Sequence, residues 1–164
     1  MADDDGDGRT AEPERKSART AFTLRTDAIE VIERDFGWHG RIAVRMIGRF
    51  LDRHLEPAGL SSAQFTLLCL IAAAPNDTMG ALAEVAGLDQ STLTRNVEIL
   101  GKAGWVEIVT AEKDRRRRAV WLTEAGAFKL QKAMPLWRKA YDALSEKLDH
   151  SALPLLISIA KTLG

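Results

Sequence analysis

The stretch "LAEVAGLDQSTLTRNVEILGKAGWVEIVTAEKDRRRRAVWLTEAG", Leu82 to Gly126, narrows most sharply what this chain can fold into. Two short helical patterns, two strand-like runs and four adjacent arginines follow one another with little room between them. A helix-turn-helix needs a small residue where its helices cross and a glycine where the chain turns with positive φ. It also needs apolar residues that weld the second helix to the first. Ala83, Gly87 and Leu93 stand at those spacings. On the second helix Leu93, Val97 and Leu100 form one inward stripe. The opposite face carries Ser91, Thr94, Arg95, Glu98 and Lys102, with Gln90 at its amino-terminal end. Short hydroxyl, amide and guanidinium groups suit base edges and phosphates, although an ordinary solvated face would carry the same residues.

The hairpin that follows weights the choice towards DNA. "WVEIV" and "AVWLT" are β-rich runs separated by the charged "TAEKDRRRR". Arg115, Arg116, Arg117 and Arg118 repel one another, and salt does little to screen neighbours this close. Phosphates would neutralise them. A hairpin placed directly after a recognition helix forms a wing whose tip can put an arginine into the minor groove. Asp114 is expected to pair with Arg116 and hold the loop's shape. The chain as a whole is electrically neutral, with 23 basic and 23 acidic residues, so a DNA partner is expected only from the local distribution of charge. Residues 1–16 carry a net −3 and residues 90–118 a net +3.

Around this block the reading is helical. "MADDDGDGRTAEPERKSART" has almost no large apolar residues, so residues 1–25 are expected to form an acidic, disordered tail. "TDAIEVIERDF" reads as a short helix ending near Gly37, and "RIAVRMIGRFLDRHL" as a longer one ended by Pro57 and Gly59. The apolar band of the longer helix is broad enough to call for more than one covering neighbour. Ser61 and Gln64 have capping-box spacing ahead of the buried run "FTLLCLIAAA", which Pro75 should stop. Asp89 should cap the recognition helix, and Thr123 a long helix to about Leu148. "LPLLISIAKTL" makes a last helix, with Pro154 tolerated in its first turn. The fold class is therefore mainly α with a small β-hairpin wing (α+β).

"LAEVAGLDQSTLTRNVEILGKAGWVEI", "DRRRRAVWLTEAG" and "GLSSAQFTLL" resemble the MarR family of winged helix-turn-helix regulators, over roughly Gly40 to the end of the chain. The most specific elements are "STLTR" and an Asp-x-Arg, Asp114 and Arg116, with Leu122 and Thr123 following that arginine at the family's spacing. The resemblance implies a dimeric, DNA-binding regulator, often a repressor, released by a small and often aromatic or phenolic ligand. It also implies that Asp114 and Arg116 fix the wing while a neighbouring wing arginine enters the minor groove. Arg117 and Arg118 exceed the usual pattern.

Dimerisation is expected independently from the long helix near the C-terminus. Leu130, Met134, Trp137, Tyr141, Leu144 and Leu148 recur at 4-3-4-3-4 spacing, the mark of one seam packed on another helix. A core-facing helix within one chain would show the same seam. Pro135 removes the hydrogen bond to Gln131, so a kink is expected there. The last helix adds Leu153, Leu156, Ile159 and Leu163. Residues 27–58 and 124–164 are accordingly expected to form the dimerisation helices, and 61–123 the DNA-binding lobe, of one domain spanning 26–164.

A palindromic double-stranded operator presents half-sites about 34 Å apart, and such a helical platform would set that distance. A ligand wedged against the platform would change it. Arg41, Arg45, Arg49 and Arg53 recur every four residues along one helix. Arg45 and Arg49 are candidates for an anionic effector, Trp38 for stacking on an aromatic one, and Phe65 for the same pocket.

Other functions find less support. The single cysteine, Cys69, sits in an apolar run and reads as packing, with a redox-sensing thiol as the alternative. No disulfide framework is possible, and His39, His54 and His150 lack ligand spacing, so neither metal nor cofactor is expected. No nucleophile elbow, phosphate loop or paired carboxylates point to an enzyme. No apolar run approaches the roughly 18 residues a membrane span needs, so a cytoplasmic location is expected. A winged helix acting only through protein contacts is the remaining alternative. The polar outer face of "QSTLTR" argues against it, because protein interfaces favour aromatic and apolar anchors.

Overall fold

The computed structural model describes residues 11–74, 78–111 and 114–163, with side chains described throughout these ranges except at 11–21 and 110–118. Seven helices and one hairpin follow in the order α1 (Ala11–Arg34), α2 (Phe36–Leu55), α3 (Ser62–Ala73), α4 (Met79–Ala86), α5 (Gln90–Lys102), β1 (Val106–Ala111), β2 (Asp114–Leu122), α6 (Glu124–Ser145) and α7 (Ala152–Leu163). A 3-10 turn, Glu56–Ala58, links α2 to α3. The chain divides into two compact units between Arg45 and Met46. Among the described residues, no single helix is long and apolar enough to cross a membrane.

In the first unit the helical pattern begins earlier than its apolar residues reveal. Backbone from Ala11 onward is helical, where a disordered tail was expected over residues 1–25, and residues 1–10 lie outside the described residues. Alanine, glutamate, arginine and lysine, all good helix formers, dominate "AEPERKSAR", and Pro13 falls in the first turn where its missing N–H costs nothing. The break comes at Asp35, ahead of Gly37. The Asp35 carboxylate accepts from the Trp38 N–H and so caps α2, which runs through Gly37 and Gly40. Phe22, Leu24, Ile29, Val31, Ile32, Phe36 and Val44 are all exposed.

The second unit is built on caps legible in the sequence. Ser61 and Gln64 form the reciprocal capping box on α3, and the Asp52 carboxylate accepts from the Ser62 N–H at 2.6 Å. α3 ends at Ala73, and Ala74 is extended at φ −66°, ψ 123°, as expected of a residue before proline. Thr78 caps α4, Asp89 caps α5 and Thr123 caps α6. Leu55, Leu68, Leu82, Leu93, Val97, Leu100 and Val120 fill the core with no more than 2% exposure. Contributions thus come from the end of α2, from α3, α4 and α5, and from β2. Met46, an apolar residue of α2, is exposed.

β1 and β2 pair antiparallel from Val106↔Leu122 to Thr110↔Arg118, and Thr78 adds an isolated bridge to Ala119. The strands are longer than expected, and the arginines lie inside β2 rather than in a connecting loop. Beyond Thr110↔Arg118 the next pair is Ala111↔Asp114, so Arg115, Arg116 and Arg117 stand opposite no residue of β1. They form a bulge, which bends a strand and strengthens its twist. β-Branched and apolar residues continue to Val109 while charge accumulates beyond it, which is why pattern alone ended the strand early.

Candidate nucleic-acid interface

The helix-turn-helix forms at the residues that the spacing picked out. Ala83 is buried on α4, which packs against α5. Gly87 ends α4 at φ 62°, with its N–H on Glu84 O at 3.1 Å and the Leu88 N–H on Ala83 O at 3.0 Å. A side chain at that φ would be strained, so glycine sets the turn. Leu93, Val97 and Leu100 are 0% exposed, and Gln90, Ser91, Arg95, Glu98 and Lys102 are exposed on the other side. Thr94 is half-buried.

The first turn of α5 is ordered by Asp89. Its carboxylate accepts from the Thr92 N–H at 2.8 Å, Thr92 Oγ1 at 2.6 Å and Ser91 Oγ at 2.5 Å. The Ser91 and Thr92 hydroxyl bonds, with the Thr92 amide, hold the carboxyl far below the usual carboxylate range. Thr94 Oγ1 donates to Gln90 O at 2.7 Å. Ser91 and Thr94 thus have their protons committed within the helix, and in this arrangement their oxygens can only accept. Cationic reach is left to Arg95 and Lys102. Asp89 was expected as a cap; its grip on two hydroxyls was not, since only side-chain geometry shows it.

The turn after α5 joins the recognition helix to the hairpin and to α6. Gly104, at φ 73°, donates to Gly101 O at 2.9 Å, while the Trp105 N–H reaches Leu100 O at 3.0 Å. Thr123 Oγ1 donates to Gly104 O at 2.7 Å, and the Thr123 N–H donates to Trp105 O at 3.1 Å. Gly126 presses so closely that a Cβ there would stand 1.9 Å from Trp105 O. Lys129 Nζ lies over the Trp105 ring at 4.7 Å. One turn therefore fastens the end of α5, the base of the wing and the start of α6. Gly104 and Gly126 carried no sign of this in sequence, because neither breaks a hydrophobic period. Asp114, Arg115, Arg116, Arg117 and Arg118 are placed by backbone on β2. The Asp114–Arg116 pairing and the arginine contacts lie outside the described side chains.

The seam on α6 turns partly inward. Leu130, Met134 and Trp137 pack against the core of their own unit, with Ala133 and Ala140 fully buried beside them. The core-facing alternative holds for that half. Tyr141 and Leu148 remain exposed and Leu144 half-buried. On α7, Leu153, Leu156, Ile159 and Leu163 are all exposed.

Among the effector candidates, Trp38 and Arg45 are exposed in the first unit, and Arg49 is exposed in the second. Phe65 is 4% exposed, its ring stacked on Trp137 at 6.0 Å, so it is a core residue. Cys69 is half-buried and burial pushes its thiol pKa up, opposite to what a reactive thiolate needs.

A helix-turn-helix followed by an antiparallel hairpin defines a winged-helix protein. Residues 58–117 match the family model described as "MarR family". The multiple antibiotic resistance protein MarR of Escherichia coli is 38% identical over 79 residues, covering 48% of this chain and 55% of that protein. The chain thus spans about half the length of that curated relative. The uncharacterised HTH-type transcriptional regulator YhbI of Bacillus subtilis is 30% identical over 115 residues, 70% of this chain and 75% of its own. Among solved structures, the M. tuberculosis transcriptional regulator MosR in complex with DNA superposes with a TM-score of 0.70 at 33% identity, covering 77% of this chain and 92% of that one. A mutant E. coli MarR complexed with operator DNA gives 0.69 at 27% identity, over 81% and 96% of the two chains. The chain belongs to the MarR family of transcriptional regulators, which are not enzymes.

Proposed function

We propose that this chain is a homodimeric, sequence-specific DNA-binding regulator that represses a nearby operon from a short palindromic operator and is released by a small aromatic or anionic ligand. The observation that carries the reading is α5. It is welded into the lobe by three fully buried residues, capped by Asp89, and presents Gln90, Ser91, Thr94, Arg95 and Lys102 beside an arginine-bearing wing. Two similar chains, MosR and E. coli MarR, have structures with DNA. In this reading α5 enters the major groove and one of Arg115 to Arg118 follows the minor groove, while Asp114 and Arg116 fix the wing.

A second copy is supported by α7. Six of its apolar residues, Leu153, Leu155, Leu156, Ile157, Ile159 and Leu163, are 44–83% exposed on a 12-residue helix, a larger apolar face than a free protein ordinarily leaves in water. Residues 27–58 and 124–164 then form the platform that holds two 61–123 lobes on the same DNA face. Gel shifts of the full chain on the DNA upstream of its own gene, at two salt concentrations, test the proposal. Preference for one fragment over scrambled duplex, weakening steeply as salt rises, is the expected result. Equal binding to both, or no binding at low salt, would overturn it.

A further inference from the structure

The hydroxyls at the start of α5 are not free to point either way. A serine or threonine hydroxyl offers one donor and two lone pairs, and ordinarily rotates to suit its partner. A free hydroxyl therefore meets a donor or an acceptor on a base edge equally well. Asp89 removes that freedom from Ser91. Its Oδ1 accepts from Ser91 Oγ at 2.5 Å and from the Thr92 N–H at 2.8 Å, and its Oδ2 accepts from Thr92 Oγ1 at 2.6 Å. A hydroxyl bond to a carboxylate is about twice as strong as one between neutral groups. The carboxyl stays ionised, because the same bonds hold its pKa far below the usual range. Thr94 Oγ1 gives its proton to Gln90 O at 2.7 Å. Ser91 is exposed and Thr94 half-buried, and a spacing of three makes them neighbours on the helix surface. What each has left to offer is lone pairs.

In the major groove only two groups donate, the N4 amino group of cytosine and the N6 amino group of adenine; guanine O6 and N7 and thymine O4 accept. We infer that Asp89 sets the hydrogen-bond polarity of the first turn of α5, so that Ser91, with Thr94 beside it, selects an amino-bearing base, adenine or cytosine, in each operator half-site. Facing guanine O6 or thymine O4, Ser91 would set acceptor against acceptor or give up its bond to the carboxylate. Arg95, exposed one turn further on, has the opposite chemistry: it only donates, and so suits guanine O6 and N7. Asp89 is here a positioning residue, acting on the base through Ser91. The inference deepens the proposed function and rests on α5 lying in the major groove.

Selection of duplexes from a randomised library by the full chain, read by sequencing, gives the base preference at every operator position. Ser91→Ala should relax one position in each half-site, and that position should hold adenine or cytosine in the wild-type selection. The same base without its amino group, purine for adenine or pyrimidin-2-one for cytosine, should weaken wild-type binding about 2- to 12-fold, as loss of one hydrogen bond implies. Ser91→Ala should not distinguish the two duplexes, which controls for the altered base pair itself. Asp89→Gly keeps a residue tolerated at a helix N-cap but removes the carboxylate, freeing Ser91 to donate. Its preference at that position should spread to guanine and thymine, while the lost charge acts on every duplex alike and cancels from the comparison. Guanine or thymine at the Ser91 position, no position that Ser91→Ala relaxes, full wild-type affinity for the amino-free duplex, or an unchanged preference in Asp89→Gly overturns the inference. Should circular dichroism melting show Asp89→Gly unfolded, the Ser91→Ala and analogue arms decide, since both leave Asp89 in place. A library from which the wild type selects no site at all sinks the regulator reading instead.

Discussion

Gly126→Ala puts the turn between α5 and β1 to a quantitative test. The new Cβ would stand 1.9 Å from Trp105 O and 2.8 Å from Trp105 C. Carbon–oxygen contacts settle near 3.3 Å, so helix and turn must part by roughly 1.4 Å. Both sides resist. The Trp105 amide is bonded to Leu100 O, and the Gly126 amide donates to Thr123 Oγ1 at 3.0 Å. Overpacking of this kind costs about 1–3 kcal/mol. Separation also breaks the bond from the Thr123 N–H to Trp105 O, worth about 1 kcal/mol net. Against these stands a gain of about 1 kcal/mol for alanine over glycine in a helix. The balance is a loss of about 1–3 kcal/mol, which for a chain of this length lowers the melting temperature by roughly 2–12 °C. Thermal unfolding by circular dichroism measures it, with Gly80→Ala as control. A Cβ at Gly80 meets nothing within 4 Å, so that variant should gain about 0.4–1 kcal/mol. If Gly126→Ala melts at or above the wild-type temperature, the close approach is not holding the lobe together.

Four other outcomes are expected. Asp89→Ala should lower the melting temperature at neutral pH. Because the folded carboxyl titrates below its ordinary value of 3.8, its contribution is present above that value and fades as pH falls beneath it, so the two melting curves should converge in acid. Phe65→Ala, which empties a buried ring site against Trp137, should cost about 3–5 kcal/mol in urea unfolding; a loss under 1 kcal/mol would mean that the ring is not packed. Arg95→Ala should cost about 1–3 kcal/mol on cognate DNA if it reads a guanine, and equal losses on cognate and random duplex in anisotropy titrations would assign it to phosphates. Leu156→Glu should leave the melting of the lobe intact yet yield monomers in sedimentation, since Leu156 is 44% exposed in the single chain; an unchanged dimer would exclude that face.

What the sequence revealed was whatever depends on neighbours along the chain. The caps at Ser61, Asp89 and Thr123 and the turn at Gly87 are local devices, each with a residue type dictated by one or two hydrogen bonds. Periodicity located the stripe Leu93, Val97, Leu100 for the same reason. The seam on α6 was visible too, but spacing alone does not tell a helix which surface it meets. Leu130 and Trp137 went to their own core, while Tyr141 stayed outside. The early start of α1 was hidden because charged helix formers also compose disordered tails. Illegible altogether were the meetings of distant backbone: Gly126 against Trp105, and a groove lined by both Pro57 and Pro135.

The bulge in β2 has a consequence for how such a wing can vary. Pairing from Val106↔Leu122 to Thr110↔Arg118 does not involve Arg115, Arg116 or Arg117. A residue could be added or deleted among those three without inverting which side chains of β1 and β2 face inward, so Val106 and Val120 would keep their places. The basic finger can lengthen or shorten while its root stays in register, which leaves its reach along a duplex adjustable apart from the stability of the lobe.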